Sequence, residues 1–227
     1  MTKDELIQTF FTRSFEEDYN EQLMFRNYAF PQEEIIDYVK KIIDIPVIDF
    51  VHAINDSYTA SYFSTKDIPQ FSSFIDATSG ICKILIEKGD NGYKYLDIGI
   101  MFRNNGEERD KRADLKYGEN HSKTAADLGL LQIRVNQVCY LSCFGRIFNY
   151  LSDDEKKEYL ARFVLRNKFV NWVIFRAGFR IVSLEEEMGI LSPSTIKRRL
   201  PNVKQYFNLL RGNVETERIL NNIQTLR

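Results

Sequence analysis

The chain has 227 residues, 31 Lys+Arg against 32 Asp+Glu, and a formal net charge of −1. With 44% hydrophobic residues, 17 Phe and 12 Tyr, it has the apolar mass for a sizeable core, which excludes disorder over most of its length. No apolar run approaches the ~20 residues that span a bilayer, and the acidic, amphipathic start MTKDELIQTFFTRSFEED does not read as a secretory signal, so the expected location is cytoplasmic.

Leu6, Phe10, Phe11 and Phe15 lie near helical spacing and predict a first helix, interrupted by Pro31. A second helix is predicted over 32–43, with Ile35, Ile36, Val39, Ile42 and Ile43 on one stripe, and Pro46 stops it. The run VIDFVHAI from Val47 reads as a short third helix, followed by a polar stretch. Phe74, Ile75, Ile81, Ile84 and Leu85 predict a helix that Gly89-Asp90-Asn91-Gly92 ends. A short helix over 93–102, a turn at Arg103-Asn104-Asn105-Gly106 and a long polar helix over about 107–128 come next. Gly118 inside that helix weakens it by about 1 kcal/mol relative to Ala, and Gly129 is placed as a C′ glycine.

The hydrophobic period then changes from helical to alternating. Leu131-Gln132-Ile133-Arg134 and Val138-Cys139-Tyr140-Leu141 predict a small hairpin around Val135-Asn136-Gln137. Ser152-Asp153-Asp154-Glu155 is a capping box opening a helix through Tyr159, Phe163, Phe169, Val170 and Val173 to about Phe175. A second box, Ser183-Leu184-Glu185-Glu186, opens a short acidic helix ending at Gly189. After the Ile190-Leu191 turn, Ser192-Pro193 starts a basic helix to Leu200 with Pro at its first position. Short helix, tight turn and basic helix make a helix-turn-helix layout. Upstream, helix, helix and hairpin follow the order of a winged helix-turn-helix. The expected fold is therefore mainly α: an acidic N-terminal helical region over 1–70, a winged helix-turn-helix over 71–150 and a C-terminal helix-turn-helix region over 151–227.

The near-zero net charge conceals a split. Up to Asp110 there are 11 basic and 20 acidic residues, about −9; from Lys111 there are 20 and 12, about +8. Such asymmetry points outward, toward partners. The basic half coincides with the helix-turn-helix signals.

Three stretches resemble a bacterial winged-helix family found in or beside type II restriction enzymes and related defence loci. Arg112-Ala-Asp-Leu-Lys-Tyr together with Thr124-Ala-Ala-Asp-Leu-Gly-Leu130 is similar to its recognition helix and the step into the wing. Tyr140-Leu-Ser-Cys-Phe-Gly-Arg146 looks like its wing-to-helix step, and Ser194-Thr-Ile-Lys-Arg-Arg199 with Val203 looks like its C-terminal helix. The resemblance covers about 75–211 and implies DNA binding, as a specificity or accessory component of a restriction-modification or phage-defence system. Pro201 departs from the pattern: an interior Pro costs ~3 kcal/mol, so the basic helix is expected to end at Leu200 or kink there.

DNA binding needs exposed cations, because phosphates supply most of the affinity. Candidates on the basic helix are Lys197, Arg198, Arg199 and Lys204, with Ser194 and Thr195 at its N-terminus for a phosphate or base edge. The upstream unit offers Lys111, Arg112, Lys116, Lys123 and, on the wing, Arg134. There Asp110, Asp114, Glu119 and Asp127 interleave, and pairing along the helix cancels part of the field. The expected partners are double-stranded DNA, a protein docked on the acidic N-terminal region, and a second copy of the chain.

Catalytic patterns are missing from the sequence. No Asp-x-Lys or Glu-x-Lys follows a suitable acidic residue on a strand, as a metal-dependent nuclease requires. There is no P-loop, GxGxxG or GxSxG. His52 and His121 lack a neighbouring ligand, and Cys82, Cys139 and Cys143 suit buried thiols better than a zinc site, which takes four ligands. Trp172 with Phe169 and Phe175 reads as core. The expectation is a non-enzymatic protein needing neither cofactor nor metal. Two alternatives stand beside it: a small divergent Mg²⁺-dependent endonuclease using Asp44, Asp49 and Asp56, and a winged-helix scaffold that binds protein only.

Overall fold

Local signals decide where the elements begin and end. In a computed structural model the described residues are 1–12, 32–57, 62–89, 91–103, 110–212 and 214–225. Phe15, Pro31, Asp90, the turn at 104–106 and the expected helix start at Glu107 lie outside them. The elements are α1 (Lys3–Thr12), α2 (Gln32–Asp44), α3 (Val47–Ser57), a π-helical turn (Asp76–Gly80), α4 (Ile81–Glu87), β1 (Tyr93–Lys94), α5 (Tyr95–Arg103), α6 (Lys111–Asp127), β2 (Leu131–Arg134), β3 (Val138–Leu141), α7 (Cys143–Tyr150), α8 (Asp153–Phe163), α9 (Lys168–Ala177), β4 (Val182–Ser183), α10 (Leu184–Glu187), α11 (Pro193–Asn208), α12 (Val214–Leu220) and β5 (Ile223–Gln224). The protein is mainly helical with a small antiparallel sheet. Among the described residues, no helix is long and apolar enough to cross a membrane.

The chain divides into two compact units. Unit I is Met1–Thr12, Lys40–Pro69 and Lys157–Arg227; unit II is Arg13–Val39 and Gln70–Lys156. Residues 1–12 and 40–69 thus share a unit with the basic helix α11.

In unit II, α5 lies directly on α6. A Cβ added to Gly99 would overlap the Asp114 carbonyl, and one on Gly118 would overlap the Tyr95 carbonyl. Gly118, unfavourable as a helix residue, is what lets the two backbones approach. The expected hairpin forms between β2 and β3, pairing Leu131 with Leu141 and Arg134 with Val138, and β1 pairs with β3 to give the order β1-β3-β2. Asn136 and Gln137 turn the hairpin with φ of 63° and 62°. Gly129 takes φ 74°, as its C′ placement predicts. The core gathers Ile81, Leu85, Ile98, Leu128, Leu131, Leu141, Phe144 and Phe148. Cys82, Cys139 and Cys143 are buried free thiols. Burial pushes the Cys139 thiol up to about 11 and moves Cys82 in the same direction.

In unit I, α3 packs against α1, α9 and α12. Phe10 meets Phe50 and Phe163 edge-on, at ring centroid distances of 5.0 and 5.1 Å, and Tyr159 stacks on Phe163 at 3.8 Å. Buried Arg162 donates from Nε and Nη2 to the Ile45 carbonyl, at 3.0 and 2.6 Å, and from Nη1 to Glu158. It thereby caps the C-terminal end of α2, where carbonyls lack helical donors.

The box at Ser152 and Glu155 forms reciprocally: the Ser152 N–H donates to Glu155 Oε2 at 2.8 Å, and the Glu155 N–H to Ser152 Oγ at 3.3 Å. The single helix expected from there to Phe175 is instead two helices. Asn167 divides them, because its Oδ1 accepts the Val170 N–H at 2.9 Å and caps a new helix, α9. α11 does not end at Leu200 but runs eight residues further, with Pro201 inside it. Pro201 is exposed, so the lost N–H bond falls on the solvent side, where water can satisfy the freed carbonyl.

Candidate nucleic-acid interface

α11 stands on its buried residues Val203, Tyr206 and Phe207. At about 100° per residue, Ser194, Lys197, Arg198 and Pro201 occupy the opposite side, and Lys204 lies at its edge. Ser194, Lys197 and Arg198 are exposed and Lys204 is half-buried. Among the described residues, no carboxylate pairs with Lys197, Arg198 or Lys204. At the helix start, the Ser192 hydroxyl does not cap a backbone N–H. It lies 2.9 Å from Thr195 Oγ1 and 3.3 Å from Ser194 Oγ, which gathers three hydroxyls at the first turn.

Arg199 is placed differently from its neighbours. Its Nη1 donates to the carbonyls of Thr65 at 2.8 Å and Ile68 at 3.0 Å. Burial, and then the nearby Arg198 charge, lower its pKa. These partners lie far away in sequence, and no local pattern announces them.

The preceding helix α10 is fastened to α9 by Glu187. Its Oε2 accepts from Trp172 Nε1 at 2.7 Å and from Arg176 Nη1 at 3.0 Å. Trp172 sits beside Phe63, and Phe169 is fully buried. Glu185 and Glu186 are exposed on α10.

The candidates of unit II meet another environment. Lys116 and Lys123 both bind Glu119, at 2.8 and 2.5 Å. Partial burial raises the pKa of Glu119, but the two lysine hydrogen bonds and charges outweigh it, and the carboxyl titrates below its usual range. Lys111 and Arg112 are exposed at the start of α6, where Asp110 caps the helix by accepting the Arg112 N–H at 2.9 Å. Arg134 is half-buried at the end of β2.

Along its flank α6 is tied to residues 70–80. His121 Nδ1 donates to the Tyr117 carbonyl at 2.7 Å, and Nε2 accepts the Ser73 N–H at 3.2 Å. That pair of bonds fixes a neutral ring with its proton on Nδ1. Tyr117 stacks on the ring at 3.9 Å and donates to Asp76 Oδ2 at 2.5 Å. Burial, then the bond to Asp76, push the Tyr117 phenol up to about 12.

The distribution of charge follows the units and not the two halves of the sequence. Unit I carries 17 basic and 12 acidic residues, about +5; unit II carries 14 and 20, about −6. Lys111, Arg112, Lys116, Lys123 and Arg134 therefore belong to the acidic unit.

The carboxylates considered for Mg²⁺ lie in unit I. Asp49 and Asp56 line a groove of about 890 Å³ with His52, Lys3, Arg166 and Lys168. Asp49 is ion-paired with Lys3 at 3.2 Å, and Asp44 is exposed at the end of α2, outside the groove lining. Among the described residues, no group of three or more His, Cys, Asp and Glu side chains is placed to hold a metal ion. No family model, curated protein or solved structure matches the chain.

Proposed function

We propose that this chain is a cytoplasmic DNA-binding protein with two helix-turn-helix units, and that α11 of unit I is the helix that meets double-stranded DNA. The observation that carries this is the pair Lys197 and Arg198, exposed on the outer face of the second helix of its motif with no carboxylate partner among the described residues. Unpaired exposed cations are what release counterions on phosphate contact. The order α4–β1–α5–α6–β2–β3, with the sheet order β1-β3-β2, supports a winged helix in unit II. The order β4–α10–α11 supports a second helix-turn-helix in unit I. A role as a specificity or accessory component of a restriction-modification or phage-defence system rests on the sequence resemblance. In that role acidic unit II is the surface for a protein partner, a catalytic subunit or a second copy.

Binding of a short mixed-sequence duplex, measured against salt, tests the assignment. Replacing Lys197 and Arg198 by Gln is expected to weaken binding and flatten the slope of log K against log [salt] by about 2, one per lost phosphate contact. An unchanged slope sinks it.

A second reading, protein docking through unit I, has one observation in its favour. Phe179 and Ile181 are 70% and 66% exposed beside β4, and exposed apolar side chains grouped together mark interaction sites. No duplex binding at low salt would select it.

A further inference from the structure

The two carbonyls that hold Arg199, those of Thr65 and Ile68, flank a residue with the same chemistry as the α11 cations. Lys66 is exposed, and no carboxylate among the described residues pairs with it. Its segment, 62–69, is fixed by several independent contacts. The Ser64 N–H and hydroxyl donate to Asp67 Oδ2 at 2.6 and 2.8 Å, and the Lys66 N–H donates to Ser64 Oγ at 3.3 Å. Asn167, while capping α9, donates from Nδ2 to the Asp67 carbonyl at 2.8 Å. Phe63 packs edge-on against Phe169 at 5.1 Å, and Ile68 is 1% exposed.

A rigid loop presents its tip without an ordering cost at the moment of binding. Its side of the helix follows from helical geometry. Arg199 lies about 100° round α11 from Arg198 and about 40° from Val203, on the margin of the buried face nearer Arg198. The loop it grips therefore lies against that margin, on the Arg198 side. Acidic Glu185 and Glu186 are on α10 instead.

We propose that Lys66 contacts a phosphate of the duplex met by Lys197 and Arg198, and that Arg199 is a positioning residue that holds the Lys66 loop against the flank of α11. This rests on the DNA-binding reading of α11. It adds to that interface a residue from the acidic N-terminal half of the sequence, and it withdraws Arg199 from direct contact.

The test is the same salt titration on the full chain. K66Q is expected to flatten the slope by about 1 with an unchanged melting temperature. R199K keeps the charge, but its nitrogen ends one bond short of Nη1, the single atom that meets both carbonyls. A positioning Arg199 therefore predicts that R199K also loses up to about 1 in slope, and that K66Q/R199K loses no more than K66Q alone. A wild-type slope in K66Q overturns the proposal. A wild-type slope in R199K, or a further unit lost in the double variant, overturns the positioning role. If the wild-type chain binds no duplex at low salt, the reading of α11 fails first and takes Lys66 with it. Duplex binding with a wild-type slope in K66Q leaves that reading intact and removes Lys66 alone.

Discussion

Units I and II carry the same local order, a two-residue strand followed by two helices, yet they place the cations along the second helix differently. In unit II the mid-helix cations of α6 are drawn into one carboxylate, Glu119 taking both Lys116 and Lys123, and Arg103 at the end of α5 lies 3.5 Å from buried Asp114, while Lys111 and Arg112 at the start of α6 stay exposed. In unit I the cations of α11 face outward, and Arg199 is turned in against backbone carbonyls. The net charges of the units are about −6 for unit II and about +5 for unit I. A helix-turn-helix order is an architecture, and the destination of each cation decides whether it serves phosphate.

The largest expected effect tests the helix crossing that defines unit II. Gly118→Ala puts a methyl group into the Tyr95 carbonyl. Overpacking costs about 1–3 kcal/mol and more where backbone must move, so denaturant unfolding should show a loss of about 3 kcal/mol or more. A loss below about 1 kcal/mol would mean that α5 and α6 do not cross this closely. In unit I the counterpart is Arg162→Met. It removes the donors to Ile45 and leaves that carbonyl unsatisfied, for an expected loss of about 2–3 kcal/mol in the same measurement. A neutral result would show that the cap on α2 is not needed.

What could be foreseen from the sequence divides along similar lines. Ser152 with Glu155, the 131–141 hairpin and Gly129 depend on residues within a few positions of one another, and they were legible. The break at Asn167 was not, because the apolar pattern continues through Val164 and Leu165 while one side-chain oxygen starts a new helix. Arg199 reads as one of three adjacent surface cations; its partners are 134 and 131 residues away. Nor does a charge count cut at Asp110 follow the folded chain, since 1–12 and 40–69 pack with 157–227. Long-range partnership is what pattern and propensity do not carry.

A smaller effect separates the units by acid. His121 is held neutral in unit II, and burial depresses its pKa against the opposing influence of Tyr117, Asp76 and Ser73. The unfolded chain protonates its histidine near 6.5. Below that pH the unfolded state binds a proton that the folded state refuses, so stability present above about 6.5 is lost as pH falls toward the depressed folded value. The unfolding free energy should therefore fall through this residue between pH 7.5 and pH 5.5. In H121Q that part of the difference should vanish. An identical pH dependence in the variant would remove His121 from the account.

The sharpest test of the comparison has an expected effect of zero. If unit II meets no phosphate, K116Q/K123Q should leave the salt slope of duplex binding unchanged, although two cations are gone. Its partner variant E119Q frees both lysines from their shared carboxylate. A helix lying on DNA would then gain affinity and slope, because cations once compensated internally would become available for counterion release. With α6 turned to a protein partner, E119Q should change duplex binding no more than K116Q/K123Q does. A steeper slope in E119Q would place α6 beside α11 on the nucleic acid, and the contrast between the units would lie in the degree of neutralisation and not in their partners.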